Sequence, residues 1–170
     1  MNSEARRWIE SLGLVPHPEG GYYREVYRSA DRLPAAGLPA RYGADRCAAT
    51  SIYFLLEGAA RSRLHRLRSD EIWYHHAGGV LLLSTILPDG TRRGIRLGAD
   101  PAGGATPQAV IPRGAWFGAR LESESEFALV GCAVAPGFEF ADFELGTRRQ
   151  LIALYPKYRA TIEDLTDQSD

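Results

Sequence analysis

The chain has 170 residues, with 20 basic against 21 acidic side chains and a formal net charge of −1, a length and balance that fit one domain around a single core. Its arginines are scattered, so no basic face for nucleic acid or for an anionic membrane surface is expected, and a small neutral or mildly polar ligand fits better. No apolar run approaches the roughly 18 residues of a bilayer span and the N-terminus lacks the apolar stretch of a signal peptide, which predicts a cytoplasmic protein with no membrane partner.

Near the start, Ala5, Trp8, Ile9 and Leu12 recur at helical spacing, with Asn2 or Ser3 as cap and Gly13 as stop. "PHPEGG", Pro16 to Gly21, is turn chemistry in which Gly20 and Gly21 permit positive φ or a close backbone approach. It lacks the Lys-Ser/Thr and the following helix of a phosphate loop. "YYREVYR" alternates as a strand, with Tyr23, Glu25 and Tyr27 on one face and Tyr22, Arg24, Val26 and Arg28 on the other. From Ser29 to Arg46 the chain is rich in Pro, Gly and Ala without periodicity, long for a connection inside a domain, and reads as a mobile loop or a lid.

Beyond this point short strand-like runs dominate: "CAATSIYFLL", "RSRLHRL", "EIWYHH", "GVLLLSTIL", "RRGIRL", "QAVIP" and "EFALVGCAV", separated by Gly, Pro, Asp or Ser. Pro88 to Gly90 supplies a hairpin turn. Cys47 and Cys132 lie in apolar runs and read as reduced, buried thiols. Alternation from Phe138 to Asp142 would place Phe138, Phe140 and Asp142 on one face, either at a pocket rim or on a solvated edge strand. "TRRQLIALY" and "YRATIEDL" regain helical spacing. The pattern predicts a mainly β fold, a sandwich or barrel, in one domain over 1–170, with the barrel at about 20–145 and a helical tail at 146–170.

"SRLHRLRSDEIWYHHAGG", Ser62 to Gly79, contains three of the chain's four histidines. It resembles the first motif of the cupin superfamily, G-x5-H-x-H-x3-E-x6-G, through His65, Glu71 and Gly78; "PRGAWF" echoes the second motif, with Phe117 where that motif has histidine. Together with "HPEGGYYRE", "SIYFLL", "LVGCAVAPGFEFADFEL" and the closing Tyr-Pro, these segments are similar to the cupin family known as domain of unknown function 985. The resemblance implies a double-stranded β-helix, or jelly roll, with short terminal helices, a ligand cavity at one mouth and a homodimeric assembly. One departure is Tyr74, which follows Trp73 where the family commonly has histidine.

The superfamily's metal needs two imidazoles, a carboxylate and a further histidine, and here Leu67 and Phe117 replace two of them, leaving His65 and Glu71. His75 shares strand parity with Glu71, but four residues of strand span about 13 Å at roughly 3.3 Å per residue. His75 and His76 therefore read as strand-end residues, exposed or bonded to a backbone carbonyl, and no cofactor is expected, a divalent metal on His65 and Glu71 being the lesser alternative. Similarity to the metal-free sugar-nucleotide epimerases of the superfamily implies His65 as a general base, with Glu71 or Asp142 orienting it and Tyr53 or Tyr23 as the acid. Arg24, Arg61, Arg63, Arg66, Arg68 and Arg113 are the basic groups available to a charged substrate. Trp73, Trp116, Phe117, Gln108, Arg24, Tyr23 and Asp142 are the expected ligand contacts, with Trp73 and Trp116 foremost among the aromatics and plain core packing as their other reading. Glu71 itself reads either as a pocket group or as a solvated residue of the turn at Ser69 and Asp70. Three functions stay open: metal-free isomerase or epimerase, non-catalytic small-molecule binding, and a metal-dependent enzyme.

Overall fold

The computed structural model describes residues 2–124 and 126–167. Helix α1 (Ser3–Leu12) is capped by the Asn2 side chain, which accepts from the N–H groups of Glu4 and Ala5, and stops at Gly13 with φ 60°. Strands β1 (Val15–Pro16) and β2 (Tyr22–Arg28) follow, then the short pair β3 (Arg32–Leu33) and β4 (Arg46–Cys47). The barrel continues through β5 (Thr50–Glu57), β6 (Arg61–Leu67), β7 (Asp70–Gly78), β8 (Leu81–Ile86) and β9 (Arg92–Leu97). It is completed by β10 (Gln108–Ile111), β11 (Trp116–Leu121), β12 (Phe127–Ala135) and β13 (Phe143–Leu145). Helices α2 (Arg148–Leu154) and α3 (Arg159–Asp164) close the described chain. None of the described helices is long and apolar enough to cross a membrane.

Two antiparallel sheets face each other, one in the order β1-β2-β5-β12-β7-β10 and the other β13-β6-β11-β8-β9, the arrangement of a jelly roll. Phe54, Leu56, Trp73, Leu83, Phe117 and Val130 meet between them in the main core. Each sheet is also covered outside. Against the six-stranded sheet, α1 packs Ala5 on Leu55 and Leu129; against the five-stranded sheet, α2 and α3 pack Leu151 and Ile162 on Leu64, Ile86 and Trp116. Double coverage explains why "YFLL" and "FALVGCAV" read as continuous apolar runs rather than alternating ones. Full burial of a side chain such as Leu55, which is 0% exposed, stabilises by about 1.5–3 kcal/mol.

The hairpin at Pro88–Gly90 forms as expected, with the Leu87 N–H donating to the Thr91 carbonyl at 2.8 Å. Strand β11 was not expected from the sequence, because Gly118 interrupts its apolar pattern. The aperiodic stretch from Ser29 to Arg46 folds against the barrel: Pro34 and Pro39 precede 3-10 turns at Ala35–Gly37 and Ala40–Tyr42, β3 pairs with β4, and the buried Tyr42 hydroxyl shares a 2.9 Å hydrogen bond with Ser69 Oγ. Phe138 to Asp142 is not a strand; Phe140–Asp142 forms a 3-10 turn leading into β13.

Three register irregularities decide what faces inward. In β2 the pairing with β5 shifts between Glu25 and Tyr27, so Tyr23, Glu25 and then Arg28, not Tyr27, reach the interior. The pairing of β11 with β6 shifts between Phe117 and Ala119, which brings Ser62 inward in place of Arg63. The third lies where β12 meets β7, beside His76.

Candidate functional site

A cavity of about 290 Å³ lies between the sheets, at the small end of the range for small-molecule sites. Ile52, Phe54, Leu67, Val134, Phe138 and Phe143 make its walls. Its buried end carries His17, Glu19, His65, Glu71 and Trp73; its open end carries Glu25, Arg28 and Glu139.

His17 and Glu19 enter from the turn between β1 and β2. That turn lies directly on β6: Gly20 has φ 110°, and a Cβ there would collide with the Arg61 carbonyl. The Glu19 carbonyl accepts from the Arg63 N–H at 2.9 Å, while Ser62 Oγ donates to Glu19 Oε1 at 2.7 Å. The arm is thereby fixed with its carboxyl inside.

His65 is 3% exposed and its ring packs on Phe117 with centroids 4.0 Å apart. Its Nδ1 lies 2.7 Å from the Arg63 carbonyl, which only accepts, so Nδ1 carries a proton. Its Nε2 lies 3.1 Å from Glu19 Oε2, and one proton between these two atoms completes the hydrogen bond. Burial is the largest influence on both: it pushes His65 below its ordinary range and Glu19 up to about 7. Glu71 is also raised to about 7, first by burial, with the His65 charge opposing and the Glu19 charge adding to the rise. The Trp73 indole lies close enough to lower Glu71, yet Glu71 Oε2 and Trp73 Nε1 are both buried without a hydrogen-bond partner among the described residues. Burial likewise lowers His17, whose Nδ1 accepts from the Glu19 N–H at 3.2 Å. Cys132 faces the same carboxyls and its thiol is held well above the usual range by burial.

At the open end, Arg28 binds Glu25 through two 2.9 Å hydrogen bonds, Glu139 through another at 2.9 Å, and the Phe138 carbonyl at 3.1 Å. Two carboxylates thus surround one guanidinium.

Of the residues singled out in the sequence, His65, Glu71, Trp73 and Tyr23 line the cavity together. Tyr53 does not: it lies on the outer face of β5 with the α1 cluster, beside His76. Arg24 also points outward, where its Nη1 donates to the Leu12 carbonyl at 2.9 Å and completes the end of α1. Gln108 is exposed on the edge strand β10, opposite Tyr74. Trp116 packs under the C-terminal helices with the Arg66 guanidinium 4.5 Å above its ring. Phe117 is core, supporting the His65 ring without lining the cavity. Asp142 turns away from His65 and pairs with Arg46. His75 accepts the strand-end role expected of it, its Nε2 lying 3.1 Å from the Gly79 carbonyl, and His76 is exposed. His17, Glu19 and Arg28 were missed. The first two sit in a Pro/Gly turn that periodicity cannot orient, and the third is turned inward by the irregularity in β2.

The donor set does not fit the superfamily's metal. Leu67 and Phe117 occupy two of its four positions, both ring nitrogens of His65 are engaged, and among the described residues no group of three or more His, Cys, Asp or Glu side chains is arranged to hold an ion.

The family model described as Cupin superfamily (DUF985) matches residues 6–146. A hypothetical protein from Leishmania major superposes with a TM-score of 0.87 at 39% identity, covering 99% of this chain and 100% of that one. Protein SO0799 from Shewanella oneidensis gives 0.85 at 41% identity, covering 98% of each chain. The uncharacterised Saccharomyces cerevisiae protein YML079W is 29% identical over 154 residues, 82% of this chain and 74% of that protein. Oxalate decarboxylase from Bacillus subtilis shares the fold alone, with a TM-score of 0.54 at 15% identity over 90% of this chain and 37% of that one.

Proposed function

The chain belongs to the DUF985 family of the cupin superfamily, and from that premise we propose that its barrel binds a small organic molecule and moves a proton on it without a metal. The observation that carries this reading is the buried Glu71 Oε2, unpartnered in a cavity whose other walls are mostly apolar. An orphaned buried acceptor is costly, by roughly 1–3 kcal/mol, and is retained where a ligand completes it.

Glu71 also has the proton affinity the task requires. Raised to about 7, it exchanges a proton readily near neutral pH, where an ordinary carboxylate is too weak a base. His65, expected from the sequence to be the base, has both ring nitrogens occupied. Its role in this reading is to share a proton with Glu19 and to set the local charge against which Glu71 titrates. Glu71 is the group that meets the substrate; His65 and Glu19 position and tune it.

The test is solvent exchange. In D2O, with a panel of small carbonyl compounds, the protein should place deuterium on the carbon next to the carbonyl, as read by NMR. Glu71→Gln should slow that exchange by about 10²–10⁴-fold, the usual worth of a positioned acid–base group. Binding of a compound without exchange across the panel would make the cavity a binding site only, and exchange that depends on added metal would overturn the proposal.

A further inference from the structure

The His17 ring is held so that only one tautomer satisfies its surroundings. Its Nδ1 accepts the Glu19 backbone N–H at 3.2 Å, so the ring proton lies on Nε2. The ring stands edge-on to Tyr23 with centroids 4.5 Å apart and to Phe54 at 5.9 Å, and the side chain is 8% exposed. Among the described residues Nε2 has no hydrogen-bond partner, and His17 lines the cavity. Here is a neutral imidazole with a spare N–H donor, on a side chain that lines the same cavity as Glu71 and Trp73, whose Oε2 and Nε1–H are buried and unpartnered.

We infer that His17 is a second catalytic residue of this site, its Nε2–H binding the carbonyl oxygen of an uncharged α-hydroxycarbonyl compound while Glu71 takes the proton from the adjacent carbon. The inference rests on the proposed proton transfer and adds the electrophile and the substrate class. Two N–H donors and one carboxyl suit two oxygens on neighbouring carbons, one a carbonyl and one a hydroxyl. An anionic substrate is disfavoured, because the open end offers Glu25 and Glu139 against the single Arg28 and the buried end offers two more carboxyls. In the step, the C–H bond breaks and its pair forms a C=C bond. The carbonyl π pair moves to oxygen under the His17 hydrogen bond, and the proton rests on Glu71 Oε2 until it returns to carbon. No oxidant, reductant or third reactant is consumed. A neutral imidazole is a sufficient electrophile for such a step, since its N–H strengthens its bond as charge develops on the oxygen.

The probe is hydroxyacetone labelled with carbon-13 at the carbonyl. His17→Asn is the informative variant: its Oδ1 still accepts the N–H two residues on and keeps the turn, but its amide no longer reaches the cavity. Circular dichroism and thermal melting confirm the fold. Wild-type protein should lower the carbonyl stretching frequency of bound hydroxyacetone and catalyse deuterium exchange. His17→Asn should return the stretch to its free value and slow exchange by about 10²–10³-fold, and His17→Gln, which keeps an N–H at longer reach, should recover part of both. If His17→Asn exchanges and polarises like wild type, the inference falls while the Glu71 reading stands. A shifted stretch without exchange on any probe sinks the Glu71 reading and the catalytic role with it, leaving His17 a binding donor. Failure of wild type to bind hydroxyacetone, with exchange confined to carboxylate-bearing compounds, overturns the substrate class.

Discussion

Two groups of buried ionisable residues lie a short distance apart in this barrel, and they are finished differently. Arg46, 3% exposed, meets Asp142 through hydrogen bonds of 2.6 and 2.7 Å and spends its remaining donors on the carbonyls of Tyr42, Ala44 and Asp45. Every charge there is answered. In the cavity, by contrast, His65 and Glu19 share a proton and Glu71 Oε2 is unanswered. A closed ion pair fastens the 29–46 segment to the β12–β13 connection; the open cluster leaves one buried carboxyl oxygen unpartnered among the described residues, the atom that the proposed function gives to a ligand. Satisfaction, not burial or charge, separates the two clusters.

The contrast is broken most severely at the closed pair. Asp142→Ala leaves the Arg46 guanidinium buried without its carboxylate, and chemical denaturation should register a loss of about 3–5 kcal/mol, with the proposed proton transfer retained in whatever remains folded. A smaller loss than 1 kcal/mol would mean that the pair is not the fastening described.

At the open cluster the same kind of deletion should act in the opposite sense. Glu71 titrates near 4.5 when unfolded and near 7 in the fold, so its contribution to stability is complete below pH 4.5 and is lost as pH climbs through 7. The loss is on the order of 3 kcal/mol. Glu71→Gln removes it, and urea denaturation should therefore show the variant gaining on wild type at pH 8 and matching it at pH 4.5. His17 and His65, lowered by burial, work the other way: their stabilising contribution is present above 6.5 and is lost as pH falls through their lowered values. A variant that lost stability at pH 8 would show that Glu71 has partners in the fold.

The smallest effects belong to the outer face. Gln108→Ala should change stability by no more than about 0.5 kcal/mol, and neither it nor Tyr53→Phe should alter deuterium exchange. A drop in exchange on either would move the site out of the cavity.

Much of this architecture was legible in the sequence because strand pairing obeys period two and turns announce themselves through Gly, Pro and Asp. The bounds of β6 and β9 coincide with "RSRLHRL" and "RRGIRL". What parity cannot tell is which of two faces is the inner one when both are covered. Trp116 is expected in the cavity as a large aromatic and Tyr53 as the acid that the epimerase resemblance implies, but both lie on outer faces that helices cover. Arg28 was lost to an irregularity in a single strand. His17 and Glu19 were lost because the glycines that announced a turn gave no sign of its direction.

That turn has a wider consequence. The walls of the cavity come from strands that the whole sandwich needs, whereas His17 and Glu19 ride on a connecting segment, 17–21, seated across the neighbouring sheet. The ionisable lining is therefore divided: Glu71 and His65 belong to strands β7 and β6, while His17 and Glu19 belong to a loop. Replacing that one loop would exchange two of the buried ionisable groups, His17 and Glu19, and leave Glu71 and the strand-built walls in place, giving a barrel of this kind a short route from one set of polar contacts to another.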